Sequence, residues 1–428
     1  MLIIMNLQNC KKNAKNLMLF IVTLCLLSTN CIHLAKNQGS GKTENIDDID
    51  IREIFIMNNI SLNKKKYLSE IASKIEYCML ETDEKCLVTP DMFVYVAKNY
   101  VVTAGYQTSN NDVCYVFDRI TGKFVRQISS IGQGPNDYQS IVSSFWDEKK
   151  EQILALGNRK YLFFNLDGTL SHTIDMPLSP NVKFIAFEDY YVGYDPNRFG
   201  NSTIRIAFFD NKTGTLIDSI PNYRSWKKTT ANYSVNDYGW LYVFRNNLYY
   251  RDIFCDTLYH IKDFKLHPRY IFNTGGRTVP YEIQEGGRFD LLYEIFGREF
   301  DRYEKYVYIF EILEDANYLF FTFDYRKMRY PSVYNKIEDI LQIMPPVSIP
   351  PPSRNWIFPR FGFDNDIDFG LPFWPLQMIS EKEMMCVYTA EELLDLDKSK
   401  ITDEKLKNVL NSLEEDSNPV VAIVTLKD

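Results

Sequence analysis

Three groups of aromatic and charged residues have the side-chain types that recognise sugars or peptides. An aromatic ring can stack on the face of a sugar, while Asp and Arg can orient a hydroxyl or a carboxylate. We therefore predict these residues as ligand-binding candidates, although the same types also suit ordinary packing at sheet edges. They are Tyr106 alone, then Tyr194, Asp195 and Arg198, then Tyr223, Arg224 and Trp226.

A short acidic segment has the spacing that begins a calcium-binding loop, with Asp364, Asp366 and Asp368 at alternate positions. An EF-hand loop needs Gly at its sixth position and Glu at its twelfth, where this chain has Phe369 and Pro375. The EF-hand interpretation is therefore excluded. An irregular cation site and a solvated acidic loop stay open, and no metal site is predicted.

Few residues have the spacing that catalysis requires. The chain has 4 histidines, and none has metal-ligand or nucleophile–base spacing. It also lacks the Gly-x-Ser-x-Gly elbow of serine hydrolases. A carboxylate pair for glycoside cleavage stays open, because two such groups can come from distant parts of a sequence. No catalytic residue and no cofactor is predicted.

Composition indicates a folded protein built from strands. The chain has 428 residues, of which 45% are hydrophobic and 24% charged, so it can bury a large core. Aromatic residues make up 15%, and they favour pleated, half-buried surfaces. The net charge of −8 includes no basic stripe that could neutralise a phosphate backbone, so nucleic-acid binding is not expected.

A repeated pattern organises the middle of the chain: an apolar strand, an Asp or Asn, a glycine turn, a second strand and a closing isoleucine. Asp118, Asn165 and Asp210 hold the same place in three segments, 47 and then 45 positions apart. This period suits the four-stranded blade of a β-propeller. The turn glycines can adopt positive φ without strain, as short hairpins require. They are Gly122, Gly168 and Gly214.

The rest of the chain supplies further elements. Helical spacing of apolar residues predicts an inserted helix near 282–303, and the prolines at 345–359 predict a loop. Thr389 and Glu392 form a predicted capping box for the first of two C-terminal helices. The last strand, 420–426, would close a propeller ring by completing a blade that an N-terminal strand begins.

The N-terminal thirty residues predict an export signal. Lys11, Lys12 and Lys15 precede an apolar run at 17–27, which is too short for a membrane span of about 20 residues. The following Leu-Ser-Thr-Asn-Cys resembles a lipoprotein signal that ends at Cys31. We predict a signal peptide at 1–30, lipid attachment at Cys31, a flexible tether at 31–66 and the propeller domain at 67–428. A Cys78–Cys86 disulfide bridge stays open.

The segment 124–138, which reads FVRQISSIGQGPNDY, resembles the signature of the six-bladed β-propeller lipoproteins of gut-type Gram-negative anaerobes. Four further motifs occur in the family's order: 256–259, 268–270, 372–375 and 417–421. The resemblance implies an all-β, six-bladed, NHL-like propeller anchored in the cell envelope. The matching turn residues are Gly132, Gly134, Pro135, Asp137, where the family has Glu, and Tyr138. The Gly-x-Gly-Pro turn itself is typical of a blade-to-blade connection.

These observations predict a non-catalytic lipoprotein that binds an unknown ligand, with a glycan or a peptide favoured. The alternatives are a propeller hydrolase or lyase acting on polysaccharide, and an envelope sensor or scaffold that contacts a membrane partner. The residues after Cys31, 32–36, lack the acidic export tag associated with surface lipoproteins in such bacteria. The anchor is therefore predicted to lie in the outer membrane or to face the periplasm.

Overall fold

The computed structural model describes residues 51–427, except 90–91, 109–110, 130, 133, 135–136, 148, 157–159, 176–182, 196, 198–199, 223–224, 226–238, 253–254, 281–303 and 350–358. The predicted signal peptide, Cys31 and the predicted inserted helix at 282–303 therefore lie outside the described residues.

Six small β-sheets follow one another along the chain and form the blades of a six-bladed β-propeller, as predicted. Strands β1 (Arg52–Phe55) and β2 (Ala72–Met79) come first and join later blades. Blade 1 contains β3 (Phe93–Val96), β4 (Tyr100–Thr108), β5 (Asn111–Asp118) and β6 (Phe124–Gln127). Blade 2 contains β7 (Ser140–Asp147), β8 (Gln152–Leu156), β9 (Lys160–Asn165) and β10 (Leu170–Asp175). Blade 3 contains β11 (Lys183–Phe187), β12 (Tyr190–Tyr194), β13 (Ile204–Asp210) and β14 (Leu216–Pro221).

The second half of the ring includes the two early strands. Blade 4 contains β15 (Trp240–Phe244), β16 (Asn247–Arg251), β17 (Thr257–Lys262) and β18 (Lys265–Asn273), with β1 added beside β18. Blade 5 contains β19 (Tyr308–Glu314), β20 (Tyr318–Tyr325), β21 (Met328–Asn335) and β22 (Ile340–Ile343), and β23 (Val347–Ser348) also pairs with β21. Blade 6 contains β24 (Gln377–Met378), β25 (Glu383–Tyr388), β26 (Val420–Leu426) and β2.

The antiparallel order of the strands separates two kinds of loop. One end of the ring carries the loops between the second and third strands of each blade. It also carries the connections from each blade to the next, and we call it the connection face. The other turns emerge at the opposite hairpin face. The first strands of blades 2 to 6 contact one another in order, and they line the central channel.

The ring closes as predicted, by pairing the two ends of the domain. Strand β2 pairs with β26 from Ala72 opposite Leu426 to Met79 opposite Val420. On the inside, the Val96 N–H donates to the side chain of Gln377 at 3.0 Å, which links β3 to β24. The N-terminal strand therefore completes blade 6 from the outside, and the Gln377 contact joins that blade to blade 1 on the inside.

Buried Asn418 holds the connection between blades 6 and 1. Its Oδ1 accepts the Val88 N–H at 2.8 Å, and its Nδ2 donates to the carbonyls of Glu81 at 2.7 Å and Cys86 at 2.9 Å. The amide thus satisfies three backbone groups that the connection removes from water. This explains why an Asn precedes the proline at the start of the closing strand.

Residues 52–71 form a strap along the outside of blades 4 to 6. Strand β1 pairs in parallel with β18, and Ile54 and Ile56 are buried. Further along, the Lys64 N–H donates to the Ile343 carbonyl at 3.0 Å. The predicted tether boundary at residue 66 was therefore wrong: the ordered fold already includes β1, because the apolar residues of the strap complete the core between blades 4 and 5.

The predicted repeat forms hairpins with a shared local geometry. The Asp118 carboxylate accepts the N–H of Thr121 at 2.8 Å and its hydroxyl at 2.8 Å. Asp210 makes the same two bonds to Thr213, at 2.6 and 2.8 Å. An acidic residue that bonds the backbone two or three positions later stabilises such turns. The predicted turn glycines have positive φ, at Gly122 (68°), Gly168 (87°) and Gly214 (72°).

Helices are short and peripheral within the described residues. They are α1 (Ile56–Asn59) in the strap, and α2 (Ala390–Leu394) and α3 (Glu404–Ser412) between β25 and β26. The predicted capping box is confirmed, since the Thr389 and Glu392 side chains each bind the other residue's backbone N–H. No helix in this part of the chain combines the length and the apolarity needed to cross a membrane.

Cys78 and Cys86 are both buried free thiols, so the open question of a bridge is answered in the negative. Burial raises the pKa of Cys78 to about 11, which keeps it protonated at neutral pH. Both residues pack in the core between blades 6 and 1. They serve this fold as small apolar side chains.

We expect Asn418→Ala to lower the free energy of unfolding by about 3 kcal/mol, because the buried Val88 N–H and Cys86 carbonyl lose the amide, while the Glu81 carbonyl keeps the Cys86 thiol as a donor. Asn418→Asp should cost at least as much, since a carboxylate would face the Glu81 and Cys86 carbonyls. Urea unfolding measures both effects. The control is Asn408→Ala on the exposed side of α3, and equal stability of both Asn418 variants and the control would contradict this role.

Candidate functional site

The connection face carries those predicted ligand-binding residues that the structure describes. Tyr106 lies near the end of β4, Tyr194 ends β12, and Asp195 follows it. The other candidates lie outside the described residues, and they are Arg198, Tyr223, Arg224 and Trp226. Ligand contact stays a prediction for the whole set. The side chains of Tyr194 and Asp195 are both buried.

Tyr194 packs between blades 3 and 4. Its side chain is buried, and its ring centroid lies 5.2 Å from that of Tyr250 on β16. A Cβ atom at Gly239 would come within 2.1 Å of the Tyr194 ring, so this close approach requires a glycine. The structure thus gives Tyr194 a packing role in the core.

Asp195 organises the connection between β12 and β13. Its buried carboxylate accepts the Asn197 N–H at 2.7 Å and the Ser202 hydroxyl at 2.7 Å. Its own N–H donates to the Arg205 carbonyl at 2.8 Å. Both carboxylate oxygens are therefore bonded within the loop.

The signature turn between blades 1 and 2 is held by one carboxylate. Asp137 Oδ2 accepts the Gly134 N–H at 2.7 Å, and the Gly132 N–H donates to the Tyr138 carbonyl at 3.1 Å. A Cβ at Gly132 would lie 2.0 Å from that same Oδ2, so a larger residue there would displace the Asp137 carboxylate from the turn. Pro135 lies outside the described residues. The predicted blade-to-blade connection is confirmed.

Tyr138 fixes the end of this turn in the core. It is almost fully buried, its hydroxyl donates to the Asp112 carbonyl at 2.9 Å, and its ring meets the edge of Phe164 at 6.3 Å. Asp112 belongs to blade 1 and Phe164 to blade 2. The tyrosine of the signature therefore joins two blades at the connection face.

A buried ion pair joins blades 3 and 4 at the same face. Arg205, near the start of β13, binds Asp252, which follows β16, and their side chains are only 5% and 7% exposed. The guanidinium also donates to the Tyr250 hydroxyl at 2.9 Å and to Asn222 at 3.0 Å. Removing one member of such a buried pair costs about 3–5 kcal/mol, so the pair fixes the two strand ends relative to each other.

A β-bulge interrupts the innermost strand of blade 5 at Glu311, on a strand that lines the central channel. Phe310 pairs with Thr322 and Leu313 with Phe320, so β19 has one residue more than β20 between these pairs. Glu311 has φ 51°, a left-handed conformation that is uncommon outside glycine. Its half-buried carboxylate accepts a 3.3 Å hydrogen bond from the Thr322 hydroxyl. Bulges of this kind often redirect a side chain beside a functional site.

A second charged pair lies next to this bulge, where β20 ends and β21 begins at the connection face. Arg329 donates to Asp324 from Nε at 2.8 Å and from Nη2 at 3.0 Å. The guanidinium also lies 5.4 Å from the centre of the Phe310 ring. Burial raises the pKa of the Asp324 carboxyl, and the Arg329 charge opposes this shift. Each partner therefore compensates the charge of the other.

The acidic segment at 364–368 holds the strap against blade 6. Each of its three carboxylates accepts a hydrogen bond, from Lys65 to Asp364 at 2.9 Å, from the Ser69 hydroxyl to Asp366 at 2.5 Å and from Tyr77 to Asp368 at 2.7 Å. Among the described residues, no group of three or more acidic, histidine or cysteine side chains is arranged to hold a metal ion. The geometry favours a structural role for this loop.

A family model described as a domain of unknown function, DUF4934, matches residues 51–425. The chain belongs to the DUF4934 family. The DUF4934 match spans all six blades and begins at the strap, in agreement with the early start of the fold. No curated protein matches the chain in sequence.

Two solved structures are similar to this DUF4934 chain. One, a candidate exported protein from Bacteroides fragilis NCTC 9343, is 19% identical with a TM-score of 0.64, and the alignment covers 89% of this chain and 100% of that one. The other, a DUF4221 family member from Bacteroides vulgatus, is 13% identical with a TM-score of 0.46, covering 83% and 97%. The first shows that the propeller fold of the DUF4934 chain occurs in a solved protein.

Sequence reasoning missed the charged residues that the DUF4934 fold brings to the connection face. Arg205 had a signal, since it interrupts an otherwise apolar strand. Asp324 and Arg329 also had one, because they flank a tight turn at symmetric positions. Glu311 had none, because its placement depends on a bulge that strand periodicity does not predict.

We expect Asp137→Ala to reduce the free energy of unfolding by about 1–2 kcal/mol, because a charge-assisted hydrogen bond to the Gly134 N–H is lost. Asp137→Asn should retain part of this bond and lose less. Asp175→Ala, at an exposed position ending β10, is the matched control. Chemical denaturation compares the three variants, and an Asp137→Ala protein as stable as the control would rule out the proposed function of this carboxylate in the turn.

Proposed function

We propose that the chain is a non-catalytic lipoprotein of the cell envelope that binds a glycan, a peptide or a protein partner at the connection face. Two ion pairs at the connection face support this proposal, because each fixes neighbouring strand ends. They are Arg205–Asp252 and Asp324–Arg329. A rigid scaffold that presents variable connections at one end is the common arrangement of binding proteins.

Two features support the envelope location. An apolar run with a basic start precedes Cys31, and the first strand begins at Arg52, which leaves 20 residues between them as a tether. The fold is also similar to that of a candidate exported protein. We propose lipid attachment at Cys31 and an anchor in the outer membrane or facing the periplasm.

The surroundings of Asp195 favour the binding function over the alternative of a hydrolase or lyase. A catalytic carboxylate must reach a substrate atom, whereas both Asp195 oxygens are bonded to Asn197 and Ser202. A binding protein needs no catalytic carboxylate, and its ligand could contact several loops of the connection face.

We expect a Cys31→Ser protein expressed in the natural host to lose incorporation of an alkyne-labelled fatty acid. Cys25→Ser, inside the apolar run, is the matched control and should keep the label, because only the thiol at the cleavage site is acylated. In-gel fluorescence after click coupling reads the result. Label retained on Cys31→Ser would contradict the proposed anchor.

We expect the purified full-length chain in detergent micelles to bind at least one member of a panel of host and bacterial glycans, synthetic peptides and envelope proteins. Arg205→Ala should weaken that binding at least tenfold, because the strand ends of blades 3 and 4 lose their ion pair. Thermal unfolding checks that this variant still folds, and Arg245→Ala at the hairpin face is the control. Absence of any ligand across the three sets would contradict the binding function.

A further inference from the structure

Two glutamates on β19, Glu311 and Glu314, differ in the number of cationic side chains that bind them. Glu314, at the end of β19, is fully buried and accepts two bonds from Arg269, at 2.9 and 2.8 Å. It also accepts bonds from Lys336 at 2.8 Å and from the Tyr242 hydroxyl at 2.8 Å. This carboxylate has its full set of partners and joins blade 4 to blade 5.

Glu311, three residues earlier on the same strand, has only one partner among the described residues. The Thr322 hydroxyl donates to it at 3.3 Å, and no lysine, arginine or histidine of the described chain forms an ion pair with it. The side chain is half-buried, and it belongs to the strand of blade 5 that lines the channel. A carboxylate that is partly removed from water and lacks a cation gains free energy when a cation reaches it.

We propose that Glu311 binds the cationic end of a lysine or arginine side chain of a peptide ligand that enters the channel from the connection face. This inference rests on the binding function proposed above and names its ligand class. The bulge at Glu311 keeps the carboxylate in the wall, in a backbone conformation that the surrounding strands must maintain.

The neighbours of Glu311 suit an alkyl chain that ends in a charge. The half-buried Phe310 precedes it on β19, so an apolar side chain lies next to the charge along the strand. Within the described residues, the Asp324–Arg329 pair beside Phe310 carries one charge of each sign, and Glu311 adds a negative charge that no ion pair there offsets. One cation restores neutrality.

A neutral sugar fits this wall less well. Sugar recognition needs several polar groups that converge on one ring and are free to bond it. Here the Thr322 hydroxyl already donates to Glu311, and Asp324 and Arg329 bind each other. The wall therefore offers a charge to a cation but few uncommitted groups to a ring of hydroxyls.

The test is calorimetric titration of the full-length chain in detergent micelles with the blocked pentapeptide Gly-Gly-Lys-Gly-Gly. We expect binding, at least tenfold weaker binding of the same peptide with an acetylated lysine, and at least tenfold weaker binding of the lysine peptide to Glu311→Gln. The control Glu415→Gln, at an exposed turn, should bind like the unmodified chain. Thermal unfolding of Glu311→Gln checks that the ring is intact.

Equal binding of the lysine peptide to Glu311→Gln and to the unmodified chain would overturn the proposal, and so would equal binding of the acetylated peptide. Titration with a neutral oligosaccharide and a glucosamine oligomer forms a second arm. Binding of either sugar without binding of the lysine peptide would refute the role of Glu311 and leave the wider binding function standing. If no ligand of any kind binds, both proposals fail.

Discussion

Antiparallel pairing between β2 and β26 is the constraint on which the other features of this propeller depend. It joins strands from the two ends of the domain, so this one pairing closes a loop of chain that contains the other five blades. The price in chain entropy is large, because the loop that closes spans almost the whole domain. Extensive pairing and the three hydrogen bonds of the Asn418 amide offset it.

Once the ring is closed, polar groups at the connection face fall into two kinds. Asp137, Asp195 and the Arg205–Asp252 pair are bonded to neighbouring protein groups, and they shape turns and strand ends. Glu311 is different, since it lies at a bulge of the innermost strand and has a single weak partner among the residues that the structure describes. The first kind accounts for the rigidity of the face, and the second offers a point at which a ligand can be recognised.

Much of the fold could be predicted from the sequence because propeller blades repeat a local pattern. The Asp118 and Asp210 turns, the Thr389 capping box and the closing strand depend on short-range chemistry that residue types display directly. The tether boundary failed for a different reason. The strap mixes apolar and polar residues without a clear strand or helix period, and burial of Ile54, Ile56 and Leu68 depends on blades that are distant in sequence.

The candidate site was harder to predict, because it is defined by contacts between blades. Tyr194 and Asp195 have residue types that suit ligand contact, yet the fold turns the tyrosine into the core and bonds the carboxylate within its loop. Arg205 and Asp252 lie 47 positions apart, and only ring geometry brings them together.

The strap also decides how the molecule carries mechanical load. Tension applied at the N-terminal side reaches β1 first. Strand β1 pairs in parallel with β18 over four residues. A force along the strand direction is therefore shared by several hydrogen bonds. Beyond β1, the contacts of Lys64 and Ser69 must break in turn before β2 is pulled. The strap therefore separates the pairing of β2 with β26 from a force applied to the chain before β1.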